Sequence, residues 1–572
     1  MKTTSKFLLF ALISSTLSIH SMAGTIVCDG VLGNSGEQGN SLVKYEGGTT
    51  SGIGVVCDRY GTLWDRGGTA LNRYAVDGRL LASYRLPKVN ADRNSDAIAL
   101  SGDTLILRLG KSLYSLSIDA PAGTEVKDMK IDAEKMSLSS KDGWVIASKG
   151  PDVFLVNATG EKKPVVTLEK NPENLEFGSD GAVCVTQGWK VYKVIPGGAN
   201  KLELVAGAPG ERPICIDGNW YGSAWHSTLR KFDGKLQPAP GVVLGGNSGS
   251  FIGHVAEQSE VVNGRGLAKI NDNLFAISGL FGVIHLLEWK GEDKRFEPVR
   301  RIGALRDCNA IGLDRDGHVW CVSGNWDWSD GPSTPQHWGV PAPEKVFGIT
   351  TMDSGSLCGY GIMWGKPMVM FGKMDKEIRL GRIEQQTSLP KEAVAVAVSE
   401  LNKKRVLLIL DAKGKVSAAN INADGSYNSD GGDVQLTTAE PVKAWTSLAS
   451  PSNDMLVCAG DGFVIEFARD GSGWKEKRRW NSFGQDAADK FGPQIWLAED
   501  SGRLWVSDSK RNRVLCFDQA SGKLIASYGT ADSAGTEISK LDAPEVIAAS
   551  GNRATVYDSG NQRILKLEIQ EK

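Results

Sequence analysis

Between Ser323 and Lys345 the chain reads SGNWDWSDGPSTPQHWGVPAPEK, which gathers Trp326, Asp327, Trp328, Asp330, His337 and Trp338 among four prolines. An exposed indole stacks on the apolar face of a sugar ring, and a carboxylate accepts its hydroxyl protons. The run therefore names Trp326, Trp328 and Trp338 as stacking candidates and Asp327 as a hydroxyl partner, in a loop at a channel mouth. The competing reading is that the same indoles pack between neighbouring elements. A second irregular run, GGNSGSFIGHVAEQSEVVNGRG from Gly245 to Gly266, places His254 and Arg265 among glycines. Glycine allows close backbone approach, and an ordinary imidazole titrates near neutral pH. His254, His337 and Arg265 are thus the candidates for acid–base work if catalysis accompanies binding. A flexible connection is the alternative for that run. No second catalytic partner is fixed by spacing, so the catalytic set stays unassigned.

Metal chemistry finds little support. His226, His254, His285, His318 and His337 follow the first 23 residues, none in a His-Glu-x-x-His pair. The nine cysteines contain no Cys-x-x-Cys pair. No metal site is expected, and nothing specifies a cofactor. NADGSYNSDGGD (Asn422 to Asp433) lacks the closing Glu of a calcium loop and reads as a polar hairpin. Cys184, Cys321 and Cys458 lie in apolar strand-like runs and read as small buried hydrophobes. Cys308 and Cys321 are candidates to pair across adjacent strands in an oxidising compartment.

The chain opens MKTTSKFLLFALISSTLSIHSMA, a basic start, a short apolar run and a small-x-small end. This is the pattern of a secretory signal peptide over residues 1–23, which predicts a secreted or periplasmic protein without a lipid anchor. No later stretch approaches the ~18 apolar residues of a transmembrane segment. The formal net charge is −2 over 572 residues. A near-neutral chain lacks the cationic surplus that nucleic-acid binding requires, so no nucleic-acid partner is expected. The one basic run, WKEKRRW (Trp474 to Trp480), reads as a solvated outer strand.

These residues must be positioned by something, and the rest of the sequence is a repeated strand–turn–strand unit. Asp508-Ser509-x-x-x-Arg513-Val514-Leu515 recurs as Asp558-Ser559-x-x-x-Arg563-Ile564-Leu565. Gly522-Lys-Leu-Ile-Ala-Ser-Tyr528 echoes Gly78-Arg-Leu-Leu-Ala-Ser-Tyr84, and Gly-x-Leu/Val-Trp stands at Gly61, Gly317 and Gly502. Apolar starts fall near Ile53, Ala97, Met136, Leu175, Pro213, Gly266, Asn309, Phe347, Val394, Ala444, Ile495 and Val546. Steps of roughly 35 to 50 residues, with Asp-Gly and Ser-Gly turns between short β-rich runs, are the rhythm of four-stranded propeller blades. Helical periodicity is nearly absent; GQDAADKFG offers one short helical turn. Because the Asp508/Arg513 motif recurs, it reads as a turn brace whose loss costs on the order of 1–3 kcal/mol.

The run from Glu499 to Tyr528, with G-x-LWV-x-D-x-x-x-x-R-V-x-x-F-D-x-x-G, resembles NHL-repeat β-propellers, and more loosely the gluconolactonase-like and quinoprotein propellers. The resemblance implies a fold and leaves the activity open, because propellers host unrelated functions. The expectation is an all-β chain in two rings of about six four-stranded blades, over 24–300 and 301–572, with residues 25–30 closing the last blade. The expected function is a secreted propeller that binds an extracellular ligand, with carbohydrate as the leading class; a protein partner stays open. The alternatives are a carbohydrate-active propeller enzyme of lyase or lactonase type, and a quinoprotein-type dehydrogenase. DQASGKLIASYG (Asp518 to Gly529) resembles a blade signature of that last class, with Tyr528 where Trp is expected.

Overall fold

A computed structural model describes residues 24–34, 54–67, 70–89, 96–188, 190–195, 202–207, 213–224, 228–233, 235, 238–244, 265–278, 283–290, 295–303, 308–323, 326–329, 345–352, 355–363, 365–373, 377–383, 389–401, 403–422, 427–428 and 431–571. Strands dominate these residues, and the helical elements among Ala487–Asp489, Ser509–Arg511 and Ser559–Asn561 are single 3-10 turns. The strands form antiparallel sheets of mostly four, in chain order. This is a β-propeller architecture, and each sheet is called a blade below, numbered 1 to 12 along the chain. First strands begin at Val56, Ala97, Lys135, Asn174, Ile214, Arg265, Cys308, Lys345, Ala393, Trp445, Ile495 and Pro544. Each lies within a few residues of a start expected from the turn rhythm.

Blades hold together face to face. Arg503–Asp508 and Arg513–Asp518 are buried at nearly every position, so both faces of these strands meet apolar neighbours instead of alternating with solvent. Val457 and Val464 of blade 10 pack with Leu504, Val506 and Leu515 of blade 11. Trp505, Val514 and Cys516 of blade 11 pack with Val556 and Leu565 of blade 12. The core is thus a series of inter-blade layers. Among blades 7 to 12 each first strand touches the next, and that of blade 12 touches that of blade 7, closing a cycle. Blades 1 to 6 also touch in series, blade 2 through the second strand of blade 3, and the first strand of blade 6 touches that of blade 1. The boundary expected at 300/301 falls inside Arg295–Gly303, the last strand of blade 6.

The strand Gly24–Asn34 does two jobs. It runs antiparallel to Arg563–Glu571, from Gly24↔Glu571 to Gly33↔Arg563, as the outer strand of blade 12. Its far end pairs in parallel with blade 1, Gly33↔Arg79 and Asn34↔Leu80, so one sheet spans blades 12 and 1. Leu436↔Trp474 and Thr437↔Lys475 join blades 9 and 10 by another parallel contact. The basic run lies in the outer strand Gly473–Trp480, where Arg478 pairs with Glu466 at 2.5 Å and Arg479 with Glu476 at 2.7 Å.

Two expectations need correction. Ser323–Lys345 is not one loop: Ser323 ends a strand, Trp326–Ser329 forms the third strand of blade 7, and Lys345 starts blade 8. Alternating WDWS satisfies its backbone against Trp320–Ser323, with Cys321↔Trp328 and Val322↔Asp327 in register. Cys308 and Cys321, both buried, form no disulfide with each other, because register sets Cys308 opposite Ser323 and Cys321 opposite Ile311.

The repeated Asp/Arg pairs are buried braces. Arg513 Nε donates to Asp508 Oδ2 at 3.0 Å, and its other nitrogens donate to the carbonyls of Ala488 and Lys490 at 2.6 Å. Asp508 Oδ1 accepts the Gly492 N–H at 3.0 Å. Blade 12 repeats the arrangement: Arg563 Nε to Asp558 at 2.7 Å, and its remaining donors to the carbonyls of Thr536, Glu537 and Lys540. Each Arg thereby fixes the segment that enters its own blade. Removing either member leaves a buried charge alone, which costs about 3–5 kcal/mol, above the sequence-based figure. Asp508→Ala and Arg513→Ala should each lower unfolding stability by that amount. Urea denaturation followed by tryptophan fluorescence checks it; an unchanged midpoint would remove the brace role.

Candidate functional site

The closed cycle of blades 7 to 12 surrounds a channel of about 1010 Å³. Its wall is built from first strands, whose backbones line it together with Lys345, Thr351, Ser399, Ser450, Trp496 and Glu499. One mouth is formed by the hairpins that leave these strands. Neighbouring blades 9, 10 and 11 set Ser399 and Glu400, then Ser450 to Asn453, then Glu499 to Gly502 along that rim. Lys403 and Arg405 come from the blade 9 hairpin. The Ser399 and Ser450 hydroxyls are buried without a partner among the described residues. Ser447 donates to Leu497 O at 3.2 Å and accepts its N–H at 2.9 Å, which stitches blades 10 and 11 together.

The hairpin beside the acid on this rim differs in length from those of blades 1 and 7. In blade 1, Asp58 accepts the N–H of Tyr60 at 3.0 Å and of Thr62 at 2.9 Å, and takes Trp64 Nε1 at 2.8 Å. Blade 7 repeats this: Asp314 accepts the N–H of Asp316 and His318, and Trp320 Nε1 at 3.0 Å. In both, the carboxylate precedes the tryptophan by six residues and clamps the hairpin. Blade 11 has a two-residue turn instead, with Ser501 and Gly502 at positive φ of 54° and 77°. Register makes Asp500 the counterpart, since Trp505 opposes Ala498 as Trp64 opposes Val56. Asp500 reaches away, to the Gly551 N–H of blade 12 at 2.6 Å and the Ser501 hydroxyl at 3.0 Å. Trp505 Nε1 is left buried without a partner among the described residues.

Glu499 stands beside this altered turn. Its carboxylate accepts one N–H, from Gly502 at 3.0 Å, and no ion pair reaches it among the described residues. Burial pushes its pKa up to about 7, against the Gly502 hydrogen bond and aided by Asp500. It is therefore an acid–base group poised at neutral pH in a channel wall, which the sequence reading did not single out. The only signal is a Glu-Asp pair at the end of an apolar strand.

The residues singled out from sequence lie elsewhere. Trp326, Asp327 and Trp328 sit two strands out from the first strand of blade 7, which lines the channel. Arg265 opens the first strand of blade 6, opposite Ser278. His254, His337 and Trp338 lie outside the described residues. His285 is buried in blade 6 opposite Arg301, and His318 Nδ1 lies 3.3 Å from Asp314. No group of three or more His, Cys, Asp or Glu side chains able to hold a metal ion occurs among the described residues. No helix among them is long and apolar enough to cross a membrane.

No protein-family model and no curated protein matches the chain. Solved structures of similar shape include the β-propeller domain of Cps50 (Swd1) from Myceliophteria thermophila, at 12% identity and TM-score 0.32 over 52% of this chain and 93% of that one. Virginiamycin B lyase from Staphylococcus aureus gives 13% identity and TM-score 0.29 over 53% and 94%. The extracellular domain of BT4673 from B. thetaiotaomicron gives 10% and 0.29 over 93% and 82%. Values this low bear on nothing beyond the fold.

The raised Glu499 pKa has a signed consequence. Folding favours the protonated acid, so its contribution is full below the unfolded value of 4.5 and is lost as pH rises through about 7. Glu499→Gln keeps the neutral form at every pH. It should match the parent near about pH 4 and exceed it by on the order of 1–3 kcal/mol near about pH 8, after allowance for partial solvent screening. Parallel urea titrations at the two pH values check this; a constant difference would refute it.

Proposed function

We propose that this is an exported β-propeller protein of two six-bladed rings, NHL-like in its last blades, that binds an extracellular carbohydrate in the channel enclosed by blades 7 to 12. The rings are residues 54–303 and 308–571, the second completed by 24–34. The observation that carries the binding reading is the channel itself: about 1010 Å³ of space, walled by first strands and rimmed by Glu400, Asn453 and Glu499. Such a rim suits a ligand dense in hydroxyl groups, and the half-buried Trp496 offers an indole at the wall. Export rests on the leader-like residues 1–23, which lie outside the described residues. Glu499 favours a second reading, a propeller enzyme acting on the same ligand class, because its near-neutral titration suits proton transfer.

A glycan array followed by calorimetry tests the binding reading. Trp496→Ala, checked for folding by thermal melting, should weaken binding at least about tenfold, or about 1.4 kcal/mol. Asn453→Trp, at an exposed rim position, should do the same by obstruction. Trp326→Ala and Trp328→Ala should bind as the parent does. The reverse pattern would move the site to Trp326, Asp327 and Trp328 of blade 7. No binding across a broad panel would remove the carbohydrate reading.

A further inference from the structure

The first half of the chain is closed at the seam where blade 6 meets blade 1. No strand ladder joins these two sheets among the described residues: blade 1 belongs to the sheet shared with blade 12, and blade 6 is a sheet of its own. Their faces meet in an apolar layer, with Val55, Leu63 and Tyr74 of blade 1 against Ala268, Ala276 and Ile284 of blade 6. At one end of the layer the two backbones approach closely. A Cβ on Gly266, whose φ is 63°, would lie 2.9 Å from the Cα of Gly54. Beside that contact Ser278 Oγ donates to Asp65 Oδ2 at 2.8 Å, across 213 residues of sequence.

Asp65 and Ser278 are 1% and 0% exposed. Successive strand residues face opposite ways, so Asp65 looks into the seam and Arg66 looks towards blade 2. There Arg66 pairs with Asp96 at 3.0 Å, and Arg108 pairs with the same carboxylate at 3.1 Å. The nearest guanidinium is thus spent on another acid. On the seam face of blade 1, Asn72 stands in register with Asp65 and donates to Tyr74 Oη at 3.0 Å. On blade 6, Arg265 stands opposite Ser278 in register, while His285 stands opposite Ile277, which packs towards blade 5. Asp65 itself accepts only the Ser278 hydroxyl and, at 2.7 Å, the Arg66 N–H, and no ion pair reaches it among the described residues. A desolvated carboxyl with neutral donors and no paired cation is favoured as the acid. Burial lifts its pKa to about 8, against both hydrogen bonds and the Arg66 charge.

We propose that the Asp65 carboxyl and the Ser278 hydroxyl form an acid-tightened latch that holds blade 6 against blade 1. With its proton in place, Asp65 bonds Ser278 without burying a charge. Separation of the two faces wets the carboxyl, which then titrates near its ordinary value of 3.8. The proton's contribution to closure is therefore full below 3.8 and is lost as pH rises through about 8. The seam is tightest in acid and separates most readily at mildly alkaline pH. Its apolar layer, with Cys57 half-buried against it, is what separation uncovers.

The test uses the full-length protein, with Cys57 as the reporter of the seam and Cys458, buried in the core of blades 9 and 10, as the reference for global unfolding. Labelling by a dipyridyl disulfide, a thiol reagent that works in acid, is read at each cysteine by peptide mass spectrometry. The parent is compared with Asp65→Asn, which stays neutral at every pH. The parent-to-variant ratio of labelling rates at Cys57 should rise at least about tenfold between about pH 5 and about pH 8. At Cys458 the ratio should stay constant. A flat ratio at Cys57 overturns the latch. An equal rise at Cys458 also overturns it, because the proton linkage would then belong to global unfolding. If thermal melting shows that Asp65→Asn does not fold, Ser278→Ala carries the test. It removes the hydroxyl and should speed Cys57 labelling at least about tenfold at about pH 5; an unchanged rate there overturns the latch.

Discussion

A propeller blade cannot stand alone, because both faces of its strands are apolar, and the structure depends on giving every face a neighbour. Arg503–Asp508, buried at five of six positions, has no solvent side to turn to. A row of such sheets leaves two naked faces at its ends, and only a closed cycle removes them. Blade 12 against blade 7 supplies that closure for the second half of the chain, and blade 6 against blade 1 for the first. Closure also demands a complete last blade. The outer edge of Arg563–Glu571 is covered by Gly24–Asn34, with Ile26 and Val31 in the same core as Leu565 and Leu567. Pairing residues at opposite ends of the chain is entropically slow to find, but it ties both halves into one sheet through Gly33↔Arg79.

Closure fixes where blades stand; buried carboxylates fix how the chain passes between their strands. Asp58 and Asp314 each satisfy two backbone N–H groups and an indole, and Asp508 and Asp558 each hold an Arg that gathers loop carbonyls. In blade 2 Asp96 accepts from Arg66 at 3.0 Å and Arg108 at 3.1 Å, all three buried. Burial raises the pKa of Asp65, as it does those of Asp508 and Asp558. Asp65 meets Ser278 Oγ at 2.8 Å and the Arg66 N–H, yet burial lifts its pKa to about 8, so it joins blades 6 and 1 as a largely neutral acid. Such groups replace solvent for backbone polar atoms that have no ladder partner at a turn, and each is costly to leave half-satisfied. Their spacing recurs because the turn they brace recurs.

That recurrence is why the fold was legible and the site was not. Blade starts could be placed within a few residues because the signals are local: an apolar run, an Asp-Gly or Ser-Gly turn, another apolar run. The closure was legible from a unit that ends one strand short. The channel wall has no local signature, since Ser399, Ser450 and Glu499 are far apart in sequence and each resembles any strand end. Trp326 and Trp328 misled for the complementary reason. Aromatic alternation with polar residues marks a pleated strand as well as a stacking platform, and Trp326–Ser329 is paired as a strand. Proline content after Ser329 drew the whole stretch into one loop, though the blade still had a strand to place.

The hairpin between the first and second strands of a blade comes in a longer and a two-residue form. The hairpin acid of blades 1 and 7 spends both oxygens on its turn and its tryptophan. Blade 11 has the two-residue turn that blades 2, 5, 9, 10 and 12 also have, and the carboxylate at the register position of Asp500 does not wrap back to Trp505. An unpaired buried indole N–H costs on the order of 1–3 kcal/mol, and an ionised Glu499 in a half-buried wall adds to that cost. Both departures fall in the same hairpin, and that hairpin opens into the channel. A brace that were merely worn out would leave the polar groups to solvent. Here Trp505 stays in the apolar layer between blades 11 and 12, while Glu499 lines the channel. One hairpin thus carries an unpaired indole on its inter-blade side and a raised carboxyl on its channel side.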